Sequence, residues 1–160
     1  MENIYTKIEK VVVNSGIGRL SQQAGFSDKL LPEIEKDFAA IVGQKGAQRA
    51  AKISIAGFKI REGNIVGIMA TLRGKRKEAF LRKVIAIVFP RVRDFRGIDP
   101  KSIDGSGNLA IGFKDQLVFP EMSAEASKAS FGLQMIIVPK IQKKEKALEL
   151  YKEMGIQFKR

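Results

Sequence analysis

The chain has 160 residues, carries 29 Lys and Arg against 17 Asp and Glu for a formal net charge of +12, and contains neither cysteine nor histidine. These absences exclude disulfides, thiolate nucleophiles and zinc sites built on Cys or His, and they remove the commonest general base. An enzyme is therefore the less favoured class, and we expect no cofactor. The length suits a single domain over residues 1–160, and no apolar run is long enough to cross a membrane.

Positive charge is concentrated in the central third of the chain. Residues 44–101 contain 15 of the 29 basic residues and only four acidic ones, whereas residues 1–43 carry a slight negative charge. A polyanion would be drawn to this third, so the distribution favours a nucleic-acid partner. With no signal-peptide pattern at the N-terminus, we expect a cytoplasmic protein or one in an equivalent organellar compartment.

Alternating apolar residues predict the strands. Lys7–Asn14 is a β-branched, period-two stretch that ends at Ser15–Gly18, and Asn64–Arg73 shows the clearest alternation of all. Further strands are predicted from Leu109 towards Phe119–Glu121 and over Leu133–Val138, where Pro139 follows. Alternation places Asn14 and Thr71 on strand faces opposite the most apolar residues.

Helical spacing of apolar residues predicts three helices. The first begins between Asp28 and Leu31, ends at Gly43, and has an acidic polar face. The second covers Lys75–Phe89, is stopped by Pro90, and points its basic residues outward: Lys75, Arg76, Lys77, Arg82 and Lys83. The third covers Ile141–Met154 and ends at Gly155, with four residues inward: Ala147, Leu148, Tyr151 and Met154. Ser123–Ala129 is expected to form one or two helical turns.

Short strands combined with these helices indicate an α+β fold. We expect a largely antiparallel sheet with the helices packed on one face and the other face open to a partner. The segment Gln44–Gly63 is basic, and Gly57 and Gly63 mark a loop within it. Phe58 in this loop either stacks on a nucleotide or packs in the core, while the segment Pro90–Gly97 is dense in guanidinium, the group best shaped for phosphate.

Two motifs could indicate cofactor binding or catalysis, but a structural role is favoured for each. The pair Gly16 and Gly18 follows a strand, but the third glycine of a dinucleotide-binding loop is absent, so a plain turn is favoured. Asp94, Asp99 and Asp104 are candidates for the magnesium site of a nuclease. Each lies in a turn-like setting where Asp caps backbone N–H groups, and that structural role is favoured.

Taken in order, several motifs resemble bacterial-type ribosomal protein five of the large subunit. They are Val11–Gly18 (VVVNSGIG), Gly43–Lys45 (GQK), Ser54–Arg61 (SIAGFKIR), Thr71–Gly74 (TLRG), Pro90–Gly97 (PRVRDFRG), Lys101–Gly105 (KSIDG), Gly107–Asn108 and Phe119–Glu121 (FPE). The resemblance implies a non-enzymatic protein that binds 5S ribosomal RNA in the central protuberance, with the face of the sheet that the helices leave uncovered open to RNA. This chain departs from the family pattern at Ser106 and Phe131, where arginine is usual.

The resemblance also implies site residues and partners. Asn14, Gln44 and Thr71 match the family's RNA-contacting positions, and neighbouring polar and basic residues extend the expected RNA-binding set: Lys45, Arg49, Lys52 and Arg73. A loop is expected to reach the tRNA in the peptidyl site through Ser54, Ala56, Gly57, Phe58, Lys59 and Arg61. Implied partners are 5S and 23S ribosomal RNA, the peptidyl-site tRNA, small-subunit ribosomal protein thirteen and other central-protuberance proteins. A general nucleic-acid chaperone and the magnesium nuclease remain alternatives.

Overall fold

Five strands form one antiparallel sheet in the computed structural model, which describes residues 2–160 except for the side chain of Phe58. The strands are β1 (Ile8–Gly16), β2 (Ala47–Ala50), β3 (Ile65–Leu72), β4 (Leu109–Phe113) and β5 (Leu133–Pro139), and their order across the sheet is β2-β3-β1-β5-β4. The predicted α+β class is confirmed.

The helices are α1 (Leu31–Val42), α2 (Gly74–Lys83), α3 (Phe89–Arg91) and α4 (Lys144–Glu153). A π-helical turn, Phe26–Leu30, precedes α1, and a second one, Val84–Val88, joins α2 to α3. Gly43 and Gly155 follow α1 and α4 with φ of 79° and 100°, the left-handed conformation predicted from their positions. Of the helices described, none is long and apolar enough to cross a membrane.

Burial along the strands follows the predicted period of two. In β1, Val11 and Val13 are buried and Lys10, Val12 and Asn14 are half-exposed. In β3, Ile68, Ala70 and Leu72 are buried, whereas Met69 and Thr71 are half-exposed. Each strand therefore offers one face to a core and keeps the other accessible.

The chain divides into two compact units. The first unit comprises Met1–Val12, Thr71–Gly112 and Gln134–Arg160, and the second comprises Val13–Ala70 and Phe113–Leu133. In the first unit, the hydroxyl of Tyr151 on α4 donates to the carbonyls of Gly107 and Ile137 at 2.5 and 3.3 Å. In the second, Phe38 of α1 and Ile68 of β3 are both buried, and their side chains both lie against Gly46. The expectation of a single domain stays a prediction.

Two predictions for the second helix are wrong. Pro90 does not end it, because the π-helical turn moves the hydrogen bond of Phe89 N–H to the carbonyl of Val84, and helical structure continues to Arg91. Lys77 does not point outward but is only 7% exposed. Its ammonium group donates to the carbonyl of Ile8 at 2.5 Å, so the buried group has a hydrogen-bond acceptor.

Three boundaries or faces also differ from expectation. β4 ends at Phe113 instead of continuing towards Phe119–Glu121, because Asp115 accepts the N–H of Leu117 at 3.0 Å and caps a short helical turn. α4 begins at Lys144, and its buried face includes Leu150, while Leu148 is half-exposed. Ser123–Ala129 contains a turn closed by a hydrogen bond from Ser127 N–H to the carbonyl of Ser123, in agreement with the one or two turns expected.

Candidate nucleic-acid interface

Asn14 is presented by the buried residues on either side of it in β1. Val13 and Ser15 are each 1% exposed, and the Ser15 hydroxyl donates to the carbonyl of Gly132 at 2.7 Å. Since neighbouring side chains of a strand point to opposite faces, this anchoring turns the amide of Asn14 to the accessible face. Ser15 was not predicted to matter, although a serine between apolar positions of a strand was the available signal.

The register of β2 against β3 decides where Arg49 points. Gln48 lies opposite the buried Ile68, and its side-chain amide donates to the carboxylate of Glu35 on α1. Arg49 lies opposite Gly67 and is exposed. Because successive residues alternate, the guanidinium of Arg49 lies on the side of β2 away from α1.

Gln44 and Lys45 occupy the short connection from α1 to β2. Gln44 is half-buried and Lys45 is exposed. Gly46, which follows them, is closely packed: a Cβ atom there would lie 2.7 Å from the ring of Phe38. Gly46 therefore fixes the distance between this connection and the core of the second unit. The sequence does not reveal this role, because Gly46 lies in a loop and belongs to no helical or strand pattern.

Two acidic side chains of α1 have partners other than Arg49. The carboxylate of Glu33 pairs with Lys128 at 3.5 Å, and that of Glu35 accepts from Gln48. Burial raises the pKa of Asp37, and the nearby Glu33 raises it further. Glu33, Glu35 and Asp37 thus lie on α1, while three cations named in the predicted set are exposed: Lys45, Arg49 and Lys52.

The predicted tRNA-contacting loop is a hydrogen-bonded hairpin. Ile55 and Ile60 exchange backbone hydrogen bonds at 2.8 and 3.1 Å, and Ala51 bonds to the backbone of Asn64 at 2.7 Å and of Gly63 at 2.9 Å. Its tip includes the turn Ala56–Phe58, followed by Lys59 with φ of 54°. Five of the six residues predicted to contact tRNA are exposed: Ser54, Ala56, Gly57, Lys59 and Arg61. The two hypotheses for the Phe58 side chain lie outside the described part of the chain.

Thr71 and Arg73 belong to the first unit. Thr71 is half-exposed between the buried Ala70 and Leu72, on the same side of β3 as Met69. Arg73 is exposed at the start of α2 and forms an ion pair with Glu9 at 3.9 Å. Part of its charge is therefore balanced within the protein.

The three aspartates of the nuclease alternative serve turns. Asp99 accepts the N–H of Lys101 at 2.9 Å, and Asp104 accepts those of Ser106 and Asn108 at 2.9 Å each. Hydrogen bonds from Asn108, followed by those from Ser106, lower the pKa of Asp104. Asp94 is exposed, with φ of 56°. Within the described ranges, no group of three or more acidic residues is arranged to hold a metal ion.

Comparison with known families covers both parts of the candidate interface. The family model described as ribosomal protein L5 matches residues 5–61, which hold Asn14, the Gln44–Lys52 segment and the hairpin loop. The model described as the C-terminus of the same ribosomal family matches residues 65–158, which hold Thr71 and Arg73. The chain belongs to the ribosomal protein L5 family.

Similar proteins of this L5 family come from several bacteria. Large ribosomal subunit protein uL5 of Rubrobacter xylanophilus is 46% identical over 152 residues, covering 95% of this chain and 82% of the relative. The uL5 protein of Halothermothrix orenii is 44% identical over 159 residues, covering 98% and 87%. That of Onion yellows phytoplasma is 45% identical over 153 residues, covering 96% and 82%.

Membership of the L5 family settles the broad function. The chain is a structural, non-enzymatic protein of the large ribosomal subunit, and its partners are ribosomal RNA and other ribosomal proteins. The predicted RNA-binding class is confirmed. One departure from the expected L5 pattern has a structural explanation: Phe131 is a buried residue whose N–H donates to the side-chain carbonyl of Gln116 at 3.1 Å, so this position serves the core.

Proposed function

We propose that this protein binds 5S ribosomal RNA in the central protuberance of the large subunit. The observation that carries the proposal is that Arg49 and the acidic residues of α1 lie on opposite sides of β2 in the second unit. Lys45, Arg49 and Lys52 are exposed, and the Gln48–Glu35 hydrogen bond turns the acidic helix α1 to the opposite side of β2 from Arg49. Exposed cations that point away from the acids of α1 can neutralise the phosphates of an RNA backbone.

The proposed contacts divide by chemistry. Lys45, Arg49, Lys52 and Arg73 neutralise phosphates, and Asn14, Gln44 and Thr71 supply directional hydrogen bonds. The anchoring of Ser15 to Gly132 and the close packing of Gly46 support this assignment, because they hold Asn14 and the Gln44–Lys45 connection in fixed positions. Such preorganised polar groups suit loops, 2′-hydroxyls and irregular RNA shape better than a uniform duplex.

The hairpin loop has a separate role in this proposal. Ser54, Ala56, Gly57, Phe58, Lys59 and Arg61 form the segment that contacts the peptidyl-site tRNA. The exposed cations Lys59 and Arg61 support phosphate contact there. Contacts with 23S ribosomal RNA, with small-subunit ribosomal protein thirteen and with other central-protuberance proteins complete the set of partners.

The decisive experiment measures RNA preference. The protein is purified at moderate salt, the co-purifying RNA is sequenced, and affinity is then compared for 5S RNA and for a scrambled RNA of equal length and composition. We expect 5S RNA to be enriched and bound at least about tenfold more tightly, since directional contacts discriminate where phosphate contacts do not. Equal affinity for the two RNAs would favour a general nucleic-acid chaperone and overturn the proposal.

A further inference from the structure

Three arginines in the first unit lie outside the proposed 5S RNA contacts. Arg91, Arg93 and Arg96 follow α2 in the segment Pro90–Gly97, and all three are exposed. Arg93 and Arg96 form no ion pair with another residue that the structure describes. Their charge is therefore available to a partner.

An aromatic pair holds this arginine segment in place. The rings of Phe89 and Phe95 are stacked, with centroids 5.1 Å apart and planes 6° from parallel. Between them the backbone reverses at Asp94, whose φ of 56° lies in the left-handed region. The turn returns Phe95 to Phe89 and leaves Arg93 and Asp94 exposed, so the guanidinium of Arg93 starts from a fixed backbone position.

Residues 157–159 pair with the backbone at the C-terminal end of the arginine segment. Ile98 pairs with Phe158 in a parallel bridge, in which Ile98 N–H donates to Gln157 at 2.8 Å and Lys159 N–H donates to Ile98 at 2.9 Å. Gly97, with φ of 101°, permits the approach, because a Cβ atom there would lie 2.8 Å from the backbone of Phe158. This pairing brings the exposed Lys159 alongside the arginine segment.

A small groove lies against the same aromatic pair. Its volume is about 330 Å³, and it is lined by Ile85, Phe89, Pro90, Val92, Phe95, Gly155 and Gln157. This size lies at the lower end of ligand-binding clefts, which suits one planar ring better than a peptide helix. Phe95 supplies a half-buried aromatic wall, and Gln157 supplies an exposed amide at the edge.

We propose that this groove and its arginines form a second RNA-binding site, which takes a single unstacked nucleotide of a single-stranded ribosomal RNA segment. The base stacks in the groove against Phe95, and the flanking phosphates pair with Arg93 and Arg96. Gln157 offers hydrogen bonds to a base edge. The site belongs to the first unit and goes beyond the proposed 5S RNA contacts, since it depends only on the chain being an RNA-binding ribosomal protein.

The test uses the full chain and a labelled 12-nucleotide uridine-rich RNA that carries one central 2-aminopurine. Binding is measured to the free protein and to protein saturated with 5S RNA. We expect the oligonucleotide to bind in both cases and its 2-aminopurine fluorescence to be quenched by stacking. Arg93→Gln with Arg96→Gln should weaken binding about tenfold and reduce the salt slope by about 1.4. Phe95→Leu should also weaken it about tenfold and relieve the quenching.

A charge-matched control keeps the test specific. Lys143→Gln with Lys146→Gln removes two exposed cations from the same unit near the start of α4, at the opposite end of this helix from Gly155. It should change oligonucleotide affinity by less than about threefold, as expected for distant screened charges. Equal losses in the two double variants, absence of quenching by the parent protein, or displacement of the oligonucleotide by 5S RNA would each overturn the proposal.

Two further arms separate the other possibilities. A poly-glutamate peptide of equal charge tests an acidic protein as the occupant, and tighter binding of that peptide than of the oligonucleotide would overturn the RNA assignment. If the parent protein fails to bind 5S RNA, the proposed function fails, but the oligonucleotide arm on the free protein still decides this second site. Thermal unfolding of each variant verifies that a loss of binding is not a loss of folding.

Discussion

The side-chain ammonium of Lys77 donates a hydrogen bond to the backbone carbonyl of Ile8 at 2.5 Å. This contact ties the first turns of α2 to the beginning of β1, and Lys77 is only 7% exposed. A lysine in such a position can be held only if its donors are used, because an unpaired buried ammonium is strongly unfavourable. The interaction therefore stabilises the packing of α2 against β1 in the first unit and is not part of an RNA-binding surface.

The first prediction concerns the pH dependence of stability. Burial lowers the pKa of Lys77, and the positive charge of Lys140 lowers it further. The unfolded chain then binds this proton more tightly than the folded chain does, so the contribution of Lys77 to the free energy of unfolding rises with pH until the unfolded pKa of about 10.4 is reached. In Lys77→Met, which keeps an aliphatic stem, this rise should be absent.

Urea unfolding of the parent and of Lys77→Met at several pH values between about 7 and 10 checks this sign. The difference in unfolding free energy should move in favour of the parent as pH increases. Lys75→Met, at an exposed position on the same helix, is the control and should follow the parent. Parallel pH curves for the parent and Lys77→Met would contradict the prediction.

The second prediction concerns directional RNA contacts. Asn14→Ala and Thr71→Ala should each weaken 5S RNA binding by about 1–2 kcal/mol, because each removes a hydrogen-bonding group from an accessible strand face. Thermal stability should change little. Gln23→Ala, which removes an exposed amide from the loop before α1, should leave RNA affinity unaltered. If the two variants lose folding stability to the same extent as RNA affinity, these side chains are internal and the assignment must be dropped.

The third prediction concerns salt. If about five phosphates are neutralised, the logarithm of the 5S RNA association constant should fall against the logarithm of salt concentration with a slope of roughly −3.5 to −4.5. Arg49→Gln and Lys52→Gln should each make the slope less steep by about 0.8. Lys36→Gln, exposed on the acidic helix α1, is the matched control and should not change it. A parent slope near zero would remove the electrostatic basis of the proposal.

The fourth prediction separates the hairpin loop from the 5S RNA contacts. Replacing Lys59 and Arg61 together by Ala should leave 5S RNA affinity within about fivefold of the parent, since only long-range attraction is lost. Ribosomes that carry the variant should retain peptidyl-site tRNA less well, because two phosphate-binding cations are gone. Lys29→Ala with Lys36→Ala provides a charge-matched control. Collapse of 5S RNA binding with unchanged tRNA retention would show that the loop belongs to the 5S RNA surface.

The fifth prediction concerns the packing of Gly46. A methyl group at this position meets the ring of Phe38 at 2.7 Å, so Gly46→Ala should lower the free energy of unfolding by about 1–3 kcal/mol. Gly57→Ala places its methyl group where no atom lies within 4 Å and should be close to neutral. The two variants are compared by thermal denaturation. Equal midpoints would show that the connection between α1 and β2 accommodates the added methyl group without loss of stability.

Strand alternation and glycine caps were predictable, because both follow from local rules. Burial of one sheet face imposes period two on β1 and β3, and Gly43 has the conformation that a helix end requires. The inward direction of Lys77 was also readable, since it lies three and four residues before Phe80 and Leu81 on one helix face.

Other features depend on contacts that no local pattern encodes. The helix passes Pro90 only because a π-helical turn precedes it, and nothing in the spacing of Val84 and Val88 distinguishes such a turn from an ordinary one. The direction of Arg49 depends on which residue of β3 it pairs with, and the acidic face of α1 is engaged through Gln48 and Lys128 from other segments. These relationships are set by tertiary pairing.

The division of the chain also sets an order of events during synthesis. All segments of the second unit have been made once Leu133 is added, whereas the first unit still lacks Gln134–Arg160 at that moment. The hydrogen bond from the Tyr151 hydroxyl to the carbonyl of Gly107 can form only after Tyr151 has been made, and the packing of Gly97 against the backbone of Phe158 only after Phe158 has been made. Because folding can begin while the chain emerges from its N-terminus, the core of the second unit can form before Gln134–Arg160 has been made, whereas the first unit requires that segment.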